Sequence, residues 1–298
     1  MKYTKPLLSI QQQIDILKQR GLLIVDEDEA ENVLDSISYF RLAGYWRFLE
    51  ADKQLHIFKQ DSRFSQVISF YNFDEELRVL VFSAIQRIEV AVRARLIRLF
   101  SEKHGAFWFM EQELAESPLM FESNLRKLQD ELNRSEDEYI LEHFKKYDTP
   151  IMPPVWKTLE VSSMGTLSKL YSNMNDSATK KSVSRSFGIP KFEYMRSWLR
   201  CITIVRNICA HHARLWNTNF VVTPSIPEYL PNAWITNRSI SSHKLYPQLC
   251  CIAYWLRSIN MQSTFTTDVK NLLQKYPLVD TIAMGFPMEW EQEPLWQE

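Results

Sequence analysis

The chain has 298 residues, 45% hydrophobic and 24% charged, with 17 Phe, 12 Tyr and 9 Trp. That much apolar surface offsets the entropy of ordering, so a disordered chain is excluded, and only 6 Gly argues against a sheet protein, which needs turn glycines. The formal net charge of −1 announces no global positive field, so a polyanion would have to be held by a local patch. Cys201, Cys209, Cys250 and Cys251 show no CxxC spacing, which speaks against a disulfide framework or a zinc site and fits a reducing cytoplasm. Met1-Lys2-Tyr3-Thr4-Lys5-Pro6 leads into Gln11-Gln12-Gln13 rather than an apolar run, so no signal peptide is expected. No stretch of about 18 uninterrupted apolar residues exists to span a membrane. A cytoplasmic protein without a membrane partner follows as the expectation.

Ser9 stands three residues before Gln12, the spacing of a capping box that opens a helix to about residue 20, with Gly21 as its stop. A second helix is predicted from Glu29 to about Ile37, entered through Asp26, and the aromatic segment Tyr39-Phe40-Arg41-Leu42-Ala43-Gly44-Tyr45-Trp46 follows it. Residues 52–66 are mixed, with an extended piece around 55–58. The strongest helix is predicted over 74–100. Leu77, Val81, Ile85, Ile88, Val92, Leu96 and Leu99 recur there at spacings of three and four, with Asp74, Glu75 and Glu76 in the first turn. Arg93, Arg95 and Arg98 load its other end, either as a solvated face or as a patch facing RNA. Glu89 and Arg93, four apart, are placed to pair.

Residues 117–147 read as a further helical stretch, and Thr149-Pro150-Ile151-Met152-Pro153-Pro154 as a rigid linker, because proline lacks the helical donor. Helix resumes over 156–173 and 176–187. Another helix begins near Phe192 with Trp198, Ile202, Val205, Cys209 and Trp216 as its apolar stripe. Prolines 224, 227 and 231 mark an irregular connection before helices over 244–259 and 266–275. The sequence therefore reads as all-α: an N-terminal helical and aromatic unit over residues 1–66, then a helical core over 67–298.

The chemistry concentrates in Arg206-Asn207-Ile208-Cys209-Ala210-His211, followed by His212, Arg214, Trp216 and Asn217. Arginine stays charged at any working pH and holds phosphate oxygens in bidentate fashion. Imidazole exchanges a proton near neutrality, and a fixed cation stabilises the charge that builds on a phosphorane. Taken by spacing alone, an arginine and a histidine five apart also describe an ordinary polar helix end. They sit roughly 140° apart on an ideal helix, so one face does not carry both. Three ways round this exist: the helix distorts near Ala210, the long arginine reaches around, or two chains assemble the site. His211-His212 offers adjacent imidazoles with no third ligand, so no metal is expected.

Several blocks in order resemble the Abi-like (AbiD/AbiF-type) family of bacterial abortive-infection proteins. They are Lys5-Pro6-Leu7-Leu8-Ser9 with Gln13; Arg20-Gly21-Leu22; Ser38 to Trp46; Tyr71-Asn72-Phe73-Asp74 with Leu77-Arg78; Ile88-Glu89 with Arg93; Pro153-Pro154-Val155-Trp156 with Glu160; and Arg206 to Asn217. The resemblance implies an HEPN-like ribonuclease bundle with a small N-terminal extension and extra C-terminal helices. It also implies a homodimer with two motifs lining one cleft, in some systems controlled by a small RNA or an antitoxin protein.

On that resemblance the chain is expected to be a metal-independent endoribonuclease needing no cofactor. It would cleave an RNA substrate through its own 2′-hydroxyl to leave 2′,3′-cyclic phosphate ends, in phage defence or toxin-like growth arrest. His211 is then the general acid/base, Arg206 holds the phosphate and Asn207 fixes the geometry. His212, Arg214, Asn217, Glu89 and Arg93 support them. A catalytically silent RNA- or protein-binding module in a defence complex is the alternative.

Overall fold

The computed structural model describes residues 2, 6–260 and 262–297; Met1, Tyr3, Thr4 and Lys5 of the opening segment lie outside them. Among the described residues the chain is all-α, with thirteen α-helices and one two-stranded hairpin. No helix is long and apolar enough to cross a membrane. The chain divides into two compact units, residues 1–78 with 270–280, and residues 79–269 with 281–298. Unlike the division expected at residue 66, the boundary falls inside a helix, and a C-terminal segment returns to the first unit.

In the first unit α1 (Ile10–Gln19) opens with the expected capping box: Ser9 Oγ accepts from Gln12 N, and the Gln12 side chain accepts from Ser9 N. It closes on Gly21 at φ +93°, where Gly21 N donates to Lys18 O and Leu22 N to Leu17 O. That is a Schellman ending with glycine in the left-handed position. α2 (Glu27–Ser36), capped by the Asp26 carboxylate, packs on α1, and α3 (Tyr39–Trp46) follows from Ser38. The extended piece is a small antiparallel hairpin, β1 (Glu50–Asp52) with β2 (Ile57–Phe58).

The 41-residue helix α4 (Phe64–His104) starts ten residues earlier than the sequence suggests. Phe64, Val67, Phe70, Phe73 and Leu77 are all buried, so the apolar periodicity already runs through the residues before the expected start. Asp74 is therefore not a first-turn acid. It is fully buried, accepts from Tyr45 Oη at 2.6 Å and pairs with Arg78 one turn on. Burial beside that carboxylate pushes the Tyr45 phenol up. Glu76 accepts from Lys275 Nζ at 2.8 Å and Tyr276 Oη at 2.6 Å, which ties the returning segment 270–280 to its unit.

In the second unit the stretch 117–147 is two helices, α5 (Pro118–Asn133) and α6 (Glu138–Lys146), interrupted at Ser135, whose side chain bonds Asp137. The proline linker follows, with a cis Thr149–Pro150 bond. The next predicted helix is likewise split into α7 (Val155–Thr158) and α8 (Met164–Asn173), because Ser163 caps a fresh start. α9 (Ser177–Arg185) is capped by Asp176, and α10 (Phe192–Ala210) lies against α8, α9 and α11 (Leu245–Ile259). α12 (Phe265–Lys275) and the short α13 (Pro294–Gln297) complete the order.

The core of this unit centres on Trp198 of α10, fully buried, with Trp234 5.5 Å and Tyr254 5.9 Å from it between ring centres. All four cysteines are buried and none forms a disulfide. Burial pushes the Cys201 thiol up to about 12 and raises Cys250 and Cys251 as well, so these three are packing groups rather than nucleophiles.

Candidate functional site

α10 buries Met195, Trp198, Leu199, Cys201, Ile202, Val205 and Cys209 at helical spacing, which leaves Arg206 and Asn207 off the core side at its last turn. Arg206 is half-buried. Its guanidinium lies 5.8 Å from the centre of the Phe82 ring on α4, and Nη1 donates to Asn207 Oδ1 at 3.4 Å, a long and weak bond. The arginine thus reaches sideways toward its neighbour's carboxamide. Phe82 is the residue that sequence reasoning missed. Its only signal was an aromatic side chain standing off the Leu77–Val81–Ile85 stripe of α4.

The helix ends at Ala210. His211 is the C-cap with φ −93° and ψ 11°, exposed, its N–H donating to Asn207 O at 3.0 Å. His212 N donates to Cys209 O at 3.1 Å and Ala213 N to Ile208 O at 2.9 Å, the same Schellman ending as in α1. Here the left-handed position belongs to His212, at φ +54°, where α1 uses Gly21. A histidine there is strained by roughly 1–2 kcal/mol. Because the apolar stripe stops with Cys209, Trp216 is not on this helix. It is buried with Leu215 in the turn that follows, which Asn217 closes at φ +51°. Thr218 Oγ1 donates to Arg214 O at 2.8 Å in the same turn, and Arg214 is half-buried.

Arg206 bends toward Asn207, and the helix ends at Ala210 with His211 as its cap.

Glu89 and Arg93 form a separate pair. Arg93 Nη2 donates to Glu89 Oε1 at 3.0 Å and to Ser162 O at 2.9 Å, with Glu160 3.9 Å away. Among the described residues no hydrogen bond or ion pair joins Glu89 or Arg93 to Arg206 or His211. Arg95 covers the Phe187 ring at 3.7 Å and donates to Ser186 O, while Arg98 pairs with Glu102 at 3.1 Å. Arg93 and Arg95 are thus engaged within the fold, while Arg98 pairs at the surface and Arg87 is exposed. Among the described residues no group of three His, Cys, Asp or Glu side chains is placed to hold a metal ion.

Helix, arginine and histidine together define an all-helical protein with an Arg-x4-His motif at the capped end of a buried helix. The sequence model of the Abi-like protein family matches residues 32–217, a stretch that runs from within α2 through α10 and holds the whole motif, and the chain belongs to that family. No curated protein matches the chain, and no solved structure does. The family points to a role in abortive infection, a form of phage defence.

Proposed function

We propose that the chain is an endoribonuclease of HEPN type that uses no metal and acts as a homodimer in phage defence. The observation that supports it is the convergence at the end of α10: the Arg206 guanidinium at Asn207 Oδ1, and the exposed His211 held by the cap just beyond. The reaction needs a fixed cation on the scissile phosphate and a group that moves protons. His211 takes the proton from the RNA 2′-hydroxyl, whose oxygen attacks the adjacent phosphorus while the bond to the 5′-oxygen breaks. The proton is returned to that leaving oxygen, directly or by the second His211 of the dimer. Arg206 neutralises the charge on the phosphorane, and Asn207 sets the guanidinium's angle. The products are a 2′,3′-cyclic phosphate and a 5′-hydroxyl.

A face for the second copy is available on α4, where Val79 and Val90 are 67% and 61% exposed and eleven residues apart, hence on one side of the helix. Antiparallel pairing about an axis between Gln86 and Arg87 sets Val79 against Ala94 and Val90 against Ser83. Light scattering then returns twice the 35.3 kDa of the chain, and a mass of one chain overturns the dimer.

Incubation with total RNA in EDTA tests the chemistry. Wild type cleaves, and Arg206→Ala and His211→Ala lose about 10²–10⁴-fold. Cleavage that vanishes in EDTA overturns the metal-free route, and full cleavage by both variants overturns the site. RNA binding without any cleavage leaves the silent binding module in its place.

A further inference from the structure

On the ideal helix, Arg196, Arg200, Thr203 and Asn207 fall within about 60° of one another, on the side of α10 opposite Trp198, Ile202 and Val205. Arg196, Arg200 and Asn207 are exposed and Thr203 is half-buried. The ridge runs about 16 Å from Arg196 to Asn207, where the Arg206 guanidinium joins it. Neither Arg196 nor Arg200 has an ion-pair partner among the described residues, in contrast to Arg78, Arg93 and Arg98 of α4. Glu193 is the one acid on this side of the helix. The neighbouring edge of α10 is closed: Ser197 Oγ accepts from Ser225 N at 2.9 Å, and Trp198 Nε1 donates to Ser225 O at 2.8 Å.

α8 flanks the ridge and runs against α10. At its start a Cβ on Gly165 would lie 3.7 Å from Thr203 Cγ2, and near its end Tyr171 is within electrostatic reach of Glu193 and Arg196. Lys169, four residues after Gly165 and exposed, is therefore on the α8 side that adjoins the arginines. It too has no ion-pair partner among the described residues. Three unpaired cations thus line one edge that ends at the candidate catalytic residues.

Resting on the ribonuclease reading, we propose that Lys169, Arg196 and Arg200 form a phosphate track that holds single-stranded RNA by its backbone and feeds it toward Arg206 and His211. The track explains how a chain of net charge −1 engages a polyanion without a global field. Exposed aromatics around Tyr139, Tyr147 and Trp156 offer stacking faces, but Glu138, Glu142 and Asp148 stand among their lysines, so the charge for the backbone is missing there. Lysines and arginines on phosphates give affinity and register without sequence preference, so the track sets how RNA is held, not which bases are cut.

The test is binding of a labelled random-sequence single-stranded RNA pool across a salt series, in a His211→Ala background that prevents turnover. Each phosphate contact contributes about 0.7 to the slope of log affinity against log salt for single strands, so Lys169→Ala/Arg196→Ala/Arg200→Ala should lower it by about 2. Affinity at low salt should fall about tenfold or more, and Arg196→Lys/Arg200→Lys should keep most of the slope because the charge remains. Removing three cations elsewhere, Arg126→Ala/Lys127→Ala/Lys145→Ala, should leave it unchanged. An unchanged slope in the track variant, an equal loss in the control, or no RNA binding by the background protein overturns the track. Wild-type protein that binds along the track and cuts nothing sinks the ribonuclease reading alone. Cleavage of long RNA at unaltered KM by the track variant sinks the track alone.

Discussion

Replacing His212 by glycine separates the backbone role of this residue from its side chain. In the wild type, His212 holds φ +54° so that Cys209 O and Ile208 O find their donors and His211 keeps its cap geometry. The left-handed conformation costs a residue with a Cβ roughly 1–2 kcal/mol, and glycine gives back about 0.5–1 kcal/mol through the freedom it adds to the unfolded chain. His212→Gly should therefore be more stable by about 0.5–1 kcal/mol, less the contact its imidazole makes, which amounts to a rise in Tm of about 1–4 °C. Gly21→His is the reciprocal change in the same kind of ending, and should lower stability by about 0.5–1 kcal/mol by the same balance. Circular-dichroism melts at one pH read both. A His212→Gly protein that melts several degrees below wild type would refute the reasoning, since the side chain would then outweigh the strain. Because the cap survives in glycine, cleavage by this variant reports on the imidazole alone, and a fall in rate places His212 among the groups that support the chemistry.

Two further outcomes concern the fold. Asp74→Ala leaves the Arg78 guanidinium and the Tyr45 hydroxyl buried without their shared carboxylate, so urea unfolding should show a loss of about 3–5 kcal/mol; a loss under 1 kcal/mol contradicts the network. At Asp176 burial pushes the carboxyl up, but hydrogen bonds from Lys103, Thr179 and His104 outweigh it and hold it well below the usual 3.8. With the folded value depressed, this stabilisation is complete above about pH 4 and is lost as pH falls toward the folded value. The stability gap between wild type and Asp176→Asn should accordingly be constant from about pH 5 to 7 and shrink below about pH 4; a gap that widens in acid contradicts the sign.

Where local chemistry decides, the sequence was readable. Ser9, Gln12 and Gly21 bound α1, the Asp26 carboxylate caps α2, and the prolines from 150 to 154 stop the chain between α6 and α7. What misled was charge that tertiary partners neutralise. Asp74, Glu75 and Glu76 looked like a helix start because sequence does not show that Tyr45 and Arg78 bury the first, or that Lys275 and Tyr276, two hundred residues away, claim the third. The site was half legible. Arg206, Asn207 and His211 stood out by residue type, and the conflict between their spacing and a regular helix was visible. The local geometry was not, because neither Phe82 under the guanidinium nor a histidine in a glycine's left-handed position follows from helical periodicity.

The end of α10 is a poor place to put a phosphate unless other charges intervene. A helix C-terminus carries about half a negative charge on its free carbonyls, which repels an anion. Two features of this chain counter that. The Schellman ending occupies Ile208 O and Cys209 O with backbone donors, so these carbonyls no longer face a ligand. Arg206 at the last turn, and Arg200 and Arg196 farther up the same helix, then supply positive charge where the dipole supplies the opposite. A site built at a helix N-terminus would have had anion affinity from the backbone itself. Here it has to come from side chains, so RNA affinity should be unusually sensitive to arginine replacement and to salt.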